Sequence, residues 1–331
     1  MNIPKLKIID AETLLATPLP KTLFIVDNIL PQGLSIFCGA SKIGKSWLML
    51  DLALNVAKGN SMWGMNTHKC GVLYLTLEDT INRIQERMYK LADEAPSDLR
   101  ISLACEKIGK GLEQQIAAAL NDFPDTQLII IDTFQKVRNV GGAVKDGMYA
   151  VDYADVSALK DIADRNKISI IFVHHLRKIK DQNDPFNDVS GSTGIAGAAD
   201  TIFIMNRDRK DKNAILRISG RDVNYQEIDL RFEGCKWEFE KIRSQEIIEQ
   251  EQIPEFMTKL CNFLSDKNEW AGTATDLVSA MGDSETPVNV ITKYIGRFYG
   301  KVLEPMGIRY ATKKSGKRFI YFKRFDSKNE K

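Results

Sequence analysis

No run among the 331 residues approaches the roughly 20 apolar positions that a bilayer-spanning helix needs. The amino terminus, MNIPKLKIIDAE, lacks the apolar core and small-residue cleavage site of a signal peptide, so the expectation is a cytoplasmic chain with no membrane partner. Cysteines are few and scattered: Cys38, Cys70, Cys105, Cys235 and Cys261 form no CxxC pair, and only Cys70 has a histidine, His68, close by. That spacing points away from zinc and disulfides, towards buried or inert thiols. Net charge is nearly absent too, at +2, and says little about partners. There is no internal repeat and no low-complexity tract. What remains is 44% hydrophobic and 27% charged, the balance of a globular protein, with length for one large domain and a small one.

The charge that exists is unevenly placed. From Pro254 to Lys331 there are 14 Lys+Arg against 9 Asp+Glu, and MGIRYATKKSGKRFIYFKR (Met306 to Arg324) carries seven cations and no acid. Ahead of this region, apolar runs rich in β-branched residues alternate with amphipathic stretches: LSIF, GVLYLTL, LIIIDT and ISIIFVHH are each followed by a helical or polar segment. Such continuous apolar strands imply an α/β domain, with a mostly parallel sheet covered on both faces. ADTIFIM and AILRISG follow without a helix between them, as at an antiparallel edge. We expect a lead segment over 1–22, the α/β domain over 23–240, a polar linker over 241–252, and a second domain over 253–331. In the last, PEFMTKLCNFL has helical spacing, Thr273 and Asp276 form a capping box, Gly282 ends that helix, and Thr286 with Pro287 caps the next. IRYAT and RFIYFKR flank a turn, and three helices with a hairpin suggest a winged helix.

The chemistry begins at GASKIGKS, between a buried strand and a helix. Two glycines around four variable residues, then lysine and a hydroxyl, have the spacing of a phosphate-binding loop. Gly39, Ala40, Ser41, Lys42, Ile43 and Gly44 would curl the backbone around phosphates, Lys45 would supply charge, and Ser46 would give Mg²⁺ a hydroxyl. Mg²⁺ also needs an acid at the end of a neighbouring strand, and LIIIDT supplies Asp132. GVLYLTLED ends in Glu78, a candidate base for the attacking water, and Asp79, which we expect to cap the following helix. IIFVHHLRK puts His174 and His175 at a strand end, where a neutral imidazole can bond a γ-phosphate. Arg207 and Arg221 follow later strands; an arginine reaching a neighbouring subunit's nucleotide acts as a finger in trans.

Taken in order, GLSIFCGASKIGKSWLMLDLALNVAKG, GVLYLTLED, LIIIDT, IIFVHHLRK and GSTGIAGAADTIFIM resemble the RecA-type ATPase core, and within it the hexameric replicative helicases of the plasmid RepA type and their mobile-element relatives. The resemblance spans about Leu23 to Trp237. It implies ATP and Mg²⁺ as cofactors, Glu78 as the catalytic glutamate, His175 as the γ-phosphate sensor with His174 as companion, and Arg221 as the finger, with Arg207 as second choice. It also implies a DNA-facing loop in KIKDQNDPFNDVSGSTGIAG, where Lys178, Lys180 and Ser192 are the candidates. No primase or loader-binding domain is expected ahead of the core, since Met1 to Leu23 is too short for one.

A winged helix lays its third helix in the major groove and touches phosphates with its hairpin. Val290, Ile291, Tyr294, Ile295 and Phe298 would form the apolar side of that helix, leaving Asn289, Lys293 and Arg297 to face DNA, with Lys313, Lys314, Lys317 and Arg318 on the wing. The expected function is a DNA-dependent, ring-forming ATPase, a hexameric homo-oligomer that moves on or unwinds DNA, with single strands in its core loops and duplex on the winged helix. The alternative is an ATP-switched DNA-binding protein without unwinding.

Overall fold

Every apolar run that precedes a candidate phosphate or metal ligand is a strand in the computed structural model. It describes residues 8–18, 22–139, 143–176, 184–189, 193–208, 210–245, 247, 253–315 and 317–325. The chain divides into two units, Met1–Ser244 and Gln245–Lys331. The first opens with a short helix, α1 (Ala11–Ala16), and a small antiparallel pair, β1 (Phe24–Val26) with β2 (Leu30–Pro31). There follow β3 (Gly33–Gly39), α2 (Lys45–Lys58), β4 (Gly71–Thr76), α3 (Ile81–Leu91), β5 (Leu99–Ser102), α4 (Leu112–Asp122) and β6 (Thr126–Asp132). Then come α5 (Phe134–Val137), α6 (Ala143–Asn166), β7 (Ser169–His174), α7 (Thr193–Ala198), β8 (Thr201–Arg207), β9 (Asn213–Gly220), β10 (Gln226–Glu233) and β11 (Lys236–Ser244).

The last nine strands form one sheet in the order β11-β10-β9-β8-β3-β7-β6-β4-β5. From β8 to β5 all neighbours are parallel. Beyond β8 the connections are too short for a crossover helix, so β9, β10 and β11 can only return antiparallel, and they do. The central parallel strands β3, β4, β6 and β7 are buried on both faces. Phe37, Val72, Tyr74, Leu128, Ile130, Ile171 and Val173 join the core under α2, while Ile36, Leu75, Ile129, Ile131, Ile170 and Phe172 join the one under α4 to α7. Strict alternation of side chains along each strand produces this division, which is why these runs read as continuously apolar.

One boundary differs from expectation. Lys241–Ser244, read as the start of a linker, continues β11: Lys241 pairs with Asp229, Ile242 with Ile228 and Arg243 with Glu227. Its side chains serve ion pairs at a sheet edge, Arg243 meeting Glu227 and Asp229 at 3.0 and 2.6 Å, so the segment shows no apolar stripe. Within the leading segment, Asp10 caps α1 by accepting from the Thr13 N–H.

The second unit contains α8 (Glu255–Leu264), β12 (Glu269–Thr273), α9 (Ala274–Met281), α10 (Ile291–Val302), β13 (Ile308–Ser315) and β14 (Lys317–Arg324). Its sheet is antiparallel, ordered β12-β14-β13, over a core that includes Phe256, Leu260, Leu277, Ile291, Ile295, Phe298, Ile320 and Phe322. The Thr273–Asp276 capping box is present, and Gly282 closes α9 at φ 66°. Thr286 and Pro287 do not cap α10. The Asp283 carboxylate accepts from the Glu285 and Thr286 N–H groups, a 3-10 turn follows over Val288–Val290, and the α-helix starts only at Ile291.

Candidate nucleotide site

Parallel strands flanked by helices place their functional side chains at the carboxyl ends, and here β3, β4, β6, β7 and β8 all contribute there. The loop after β3 leads straight into α2. Gly44 stands at its N-cap with φ 100°, a conformation that side chains rarely adopt, and a Cβ there would lie 2.9 Å from the Trp237 ring. No side chain caps α2, so the first-turn N–H groups remain available for an anion. Lys45 is buried, its ammonium donating to the carbonyls of Gly39 (2.9 Å) and Ala40 (2.7 Å). Burial lowers its pKa, against the pull of Asp132, Cys38 and Glu78.

Asp132 ends β6 and is buried beside Ser46 and Tyr74, whose hydroxyl donates to Oδ2 at 3.2 Å. Burial raises its pKa; hydrogen bonds from Ser46 and Tyr74 and the charge of Lys45 act against this. A hydroxyl and a carboxylate in contact at the first turn of α2 make a hard-oxygen donor pair that suits Mg²⁺. Thr133 donates its hydroxyl to the Val173 carbonyl at 2.9 Å, fixing β6 to β7 at this edge.

Glu78 is exposed two residues beyond β4 and lines the same cleft as Lys45, Ser46, Asp132 and His175, a space of about 580 Å³. Asp79 does not cap α3. Thr80 does, accepting from the Arg83 N–H, while the Asp79 carboxylate binds Arg83 (2.8 Å) and Arg87 (2.6 Å). The two histidines part company because neighbours on a strand face opposite ways. His175 lines the cleft, and its Nδ1 is buried with no hydrogen-bond partner among the described residues. Burial and the Lys45 charge lower its pKa, with Glu78 and Asp132 pulling the other way, so the imidazole is neutral at pH 7. His174 is buried against α5, edge-on to Phe134 at 5.6 Å, and does not line the cleft.

The arginines also separate. Arg207, at the end of β8, lies in its own chain's cleft. Its Nη1 donates to the Ile43 carbonyl at 3.2 Å, its Nε donates to the Asp211 carbonyl, and its guanidinium stands 4.9 Å from the Phe232 ring centroid and 5.1 Å from that of Trp237. Arg221 follows β9 at the opposite end of the sheet, because Gly220 pairs with Thr201, the first residue of β8. There it meets Asp200 at 3.2 Å with its side chain 61% exposed. Arg221 therefore does not reach the cleft of its own chain.

Sequence reasoning missed Arg83, Arg87, Trp47 and Phe232, which also line the cleft, and Trp237 beneath the loop. Arg83 and Arg87 carry a signal in retrospect, lying four apart on one face of α3 just after the acidic pair. Lys178, Lys180 and Ser192 lie outside the described residues. In the second unit Lys293 and Arg297 are exposed on α10, Asn289 on the preceding 3-10 turn, and Lys313, Lys317 and Arg318 on the β13–β14 hairpin. Lys314 lies in β13, its side chain outside the described set. All five cysteines are free, and burial pushes the Cys38 thiol up to about 12 and that of Cys70 to about 11. No helix among the described residues is long and apolar enough to cross a membrane.

A glycine loop between a central parallel strand and a helix, with an acid ending the second strand along, defines a P-loop nucleoside triphosphatase fold of the RecA type. The chain belongs to the AAA domain family, whose model matches residues 3–181. Among solved structures it is similar to a DnaB-like replicative helicase, described with its interactions with primase, at 16% identity and a TM-score of 0.52. The likeness covers 62% of this chain and 57% of that one, and what it shows is the shared fold. Comparison with curated proteins gives no match.

Proposed function

We propose that this protein is a DNA-dependent ATPase that works as a ring, a helicase or translocase in the replication of a plasmid, phage or other mobile element. The observation that carries this reading is the convergence of Lys45, Ser46, Glu78, Asp132 and His175 on one cleft at the carboxyl edge of the parallel strands. Lys45 exchanges its loop carbonyls for the β- and γ-phosphates, the α2 N-terminus and loop N–H groups bind phosphate oxygens, and Ser46 with Asp132 holds the metal. Mg²⁺, when bound there, neutralises charge building on the phosphates. Glu78 orients the attacking water and accepts its proton, and neutral His175 bonds the γ-phosphate, so that its loss is felt at the end of β7. Arg221 of one subunit completes the cleft of the next, in a hexamer.

The second unit is read as a winged helix that binds DNA through Asn289, Lys293, Arg297 and the hairpin cations. Lys178, Lys180 and Ser192 are proposed to contact single strands. The test is steady-state ATP hydrolysis with and without single-stranded DNA, beside strand displacement on a fork. Stimulated turnover that Lys45→Ala abolishes, with Glu78→Gln binding ATP but at least about 100-fold slower in hydrolysis, supports the reading. Stimulation without strand displacement favours an ATP-switched DNA-binding protein instead. Turnover indifferent to any nucleic acid, or normal turnover by Glu78→Gln, refutes it.

A further inference from the structure

The phosphate loop is held from outside by two donors that no step above uses. Arg207 Nη1 donates to the carbonyl of Ile43 at 3.2 Å, and Trp237 Nε1 donates to that of Gly44 at 3.1 Å. These two side chains form one body: the guanidinium stands 5.1 Å from the Trp237 centroid and 4.9 Å from that of Phe232, while the Phe232 and Trp237 rings are 4.8 Å apart. Trp237 is 3% exposed, and it approaches so closely that any Cβ on Gly44 would collide with it. The cluster is drawn from β8, β10 and β11, so the antiparallel end of the sheet braces the loop that follows its central strand.

A peptide unit is planar and trans, so fixing a carbonyl fixes the N–H on the opposite edge of the same unit. The Ile43 carbonyl shares its unit with the N–H of Gly44, and the Gly44 carbonyl shares its unit with the N–H of Lys45. In a loop of this spacing those N–H groups are the ones offered to phosphate oxygens. Gly44, with φ at 100° and no side chain, is the residue least able to hold such an orientation unaided. We infer that Arg207 and Trp237 are positioning residues of this nucleotide site, orienting the Gly44 and Lys45 N–H groups for the phosphates from within the same chain. The inference rests on the nucleotide reading of the cleft.

A residue that orients the loop and one that touches the γ-phosphate differ in a measurable way. The loop N–H groups serve phosphates shared by ADP and ATP, so loosening them weakens both nucleotides alike. Calorimetric titration of the full chain with ADP and with a non-hydrolysable ATP analogue, with Mg²⁺, tests this on Arg207→Met, Arg207→Lys and Trp237→Phe. The last keeps one aromatic ring but removes the N–H donor together with the part of the indole that packs against Gly44. Each lost loop bond should weaken both ligands about five- to tenfold, with Arg207→Lys recovering part of the loss, since its ammonium can donate but cannot stack as a plane. Thermal unfolding is measured on the same samples. Loss of affinity for the ATP analogue alone would make Arg207 a γ-phosphate ligand and overturn the inference. So would a lowered unfolding temperature with unchanged affinities, which would leave the cluster a packing feature. If the wild type binds neither nucleotide, the reading of the cleft fails first and the inference falls with it; wild-type binding with unaltered variants removes the inference alone.

Discussion

A histidine facing a lysine ammonium across a half-buried cleft has to stay neutral, and His175 is in that position. Burial and Lys45 both disfavour its imidazolium, more than Glu78 and Asp132 favour it. The ordinary value is 6.5, and the folded value lies below it. Between the two the unfolded chain binds more protons than the folded one, so stability is full above pH 6.5 and falls as pH drops through the window. Urea midpoints measured from pH 8 to 5 should therefore decline below pH 6.5, and less steeply for His175→Asn. Identical slopes would mean that neither burial nor Lys45 lowers the His175 pKa. At this scale much was legible: the spacing of Gly39, Gly44, Lys45 and Ser46 announced a loop between β3 and α2, and the apolar run before Asp132 announced its strand end. Which of two adjacent histidines enters the cleft was not, because it depends on the pleat and register of β7 rather than on residue type.

Elements are joined through Asp200, just ahead of β8. Its Oδ2 accepts from the Leu34 N–H at 3.0 Å, its carboxylate takes the Lys160 ammonium at 2.7 Å, and Arg221 meets Oδ1 at 3.2 Å. One nearly buried side chain thus ties the start of β3, the middle of α6 and the end of β9. It comes so close to Gly33 that a Cβ there would stand 2.6 Å from Oδ2. Asp200→Asn leaves Lys160 facing a neutral amide and should lower unfolding free energy by roughly 3 kcal/mol. Arg221→Ala, removing a mostly exposed partner, should cost about 1 kcal/mol or less. Urea unfolding of both variants checks the order, and equal losses would contradict this account. Reading Arg221 only as a finger overlooked this local tie, since Asp200 is distant in sequence from Lys160 and Leu34.

Across the whole molecule, charge is the feature that sequence position alone makes uneven. Lys313, Lys317 and Arg318 are exposed on a hairpin whose stretch carries no acid, and exposed cations that meet phosphates release counterions. Replacing all three by alanine should flatten the plot of log affinity for duplex DNA against log salt by about 2 to 3 units, near 0.9 per lost contact. An unchanged slope, measured between 50 and 200 mM salt as a common range, would show that the hairpin meets no phosphate and would turn attention to protein contacts.

The sequence by itself determined the parallel sheet, the glycine loop between β3 and α2, the acid that ends β6 and the capping box. Each is written in local spacing or in the period of an apolar run, and local sterics enforce them wherever the chain folds. Tertiary structure alone decided that Lys241–Ser244 is a paired strand, and that Arg207, Phe232 and Trp237 gather behind Gly44. Those facts depend on which strands become neighbours. Such pairing brings together residues 193 positions apart in the bond from Trp237 to Gly44, and no local pattern records it.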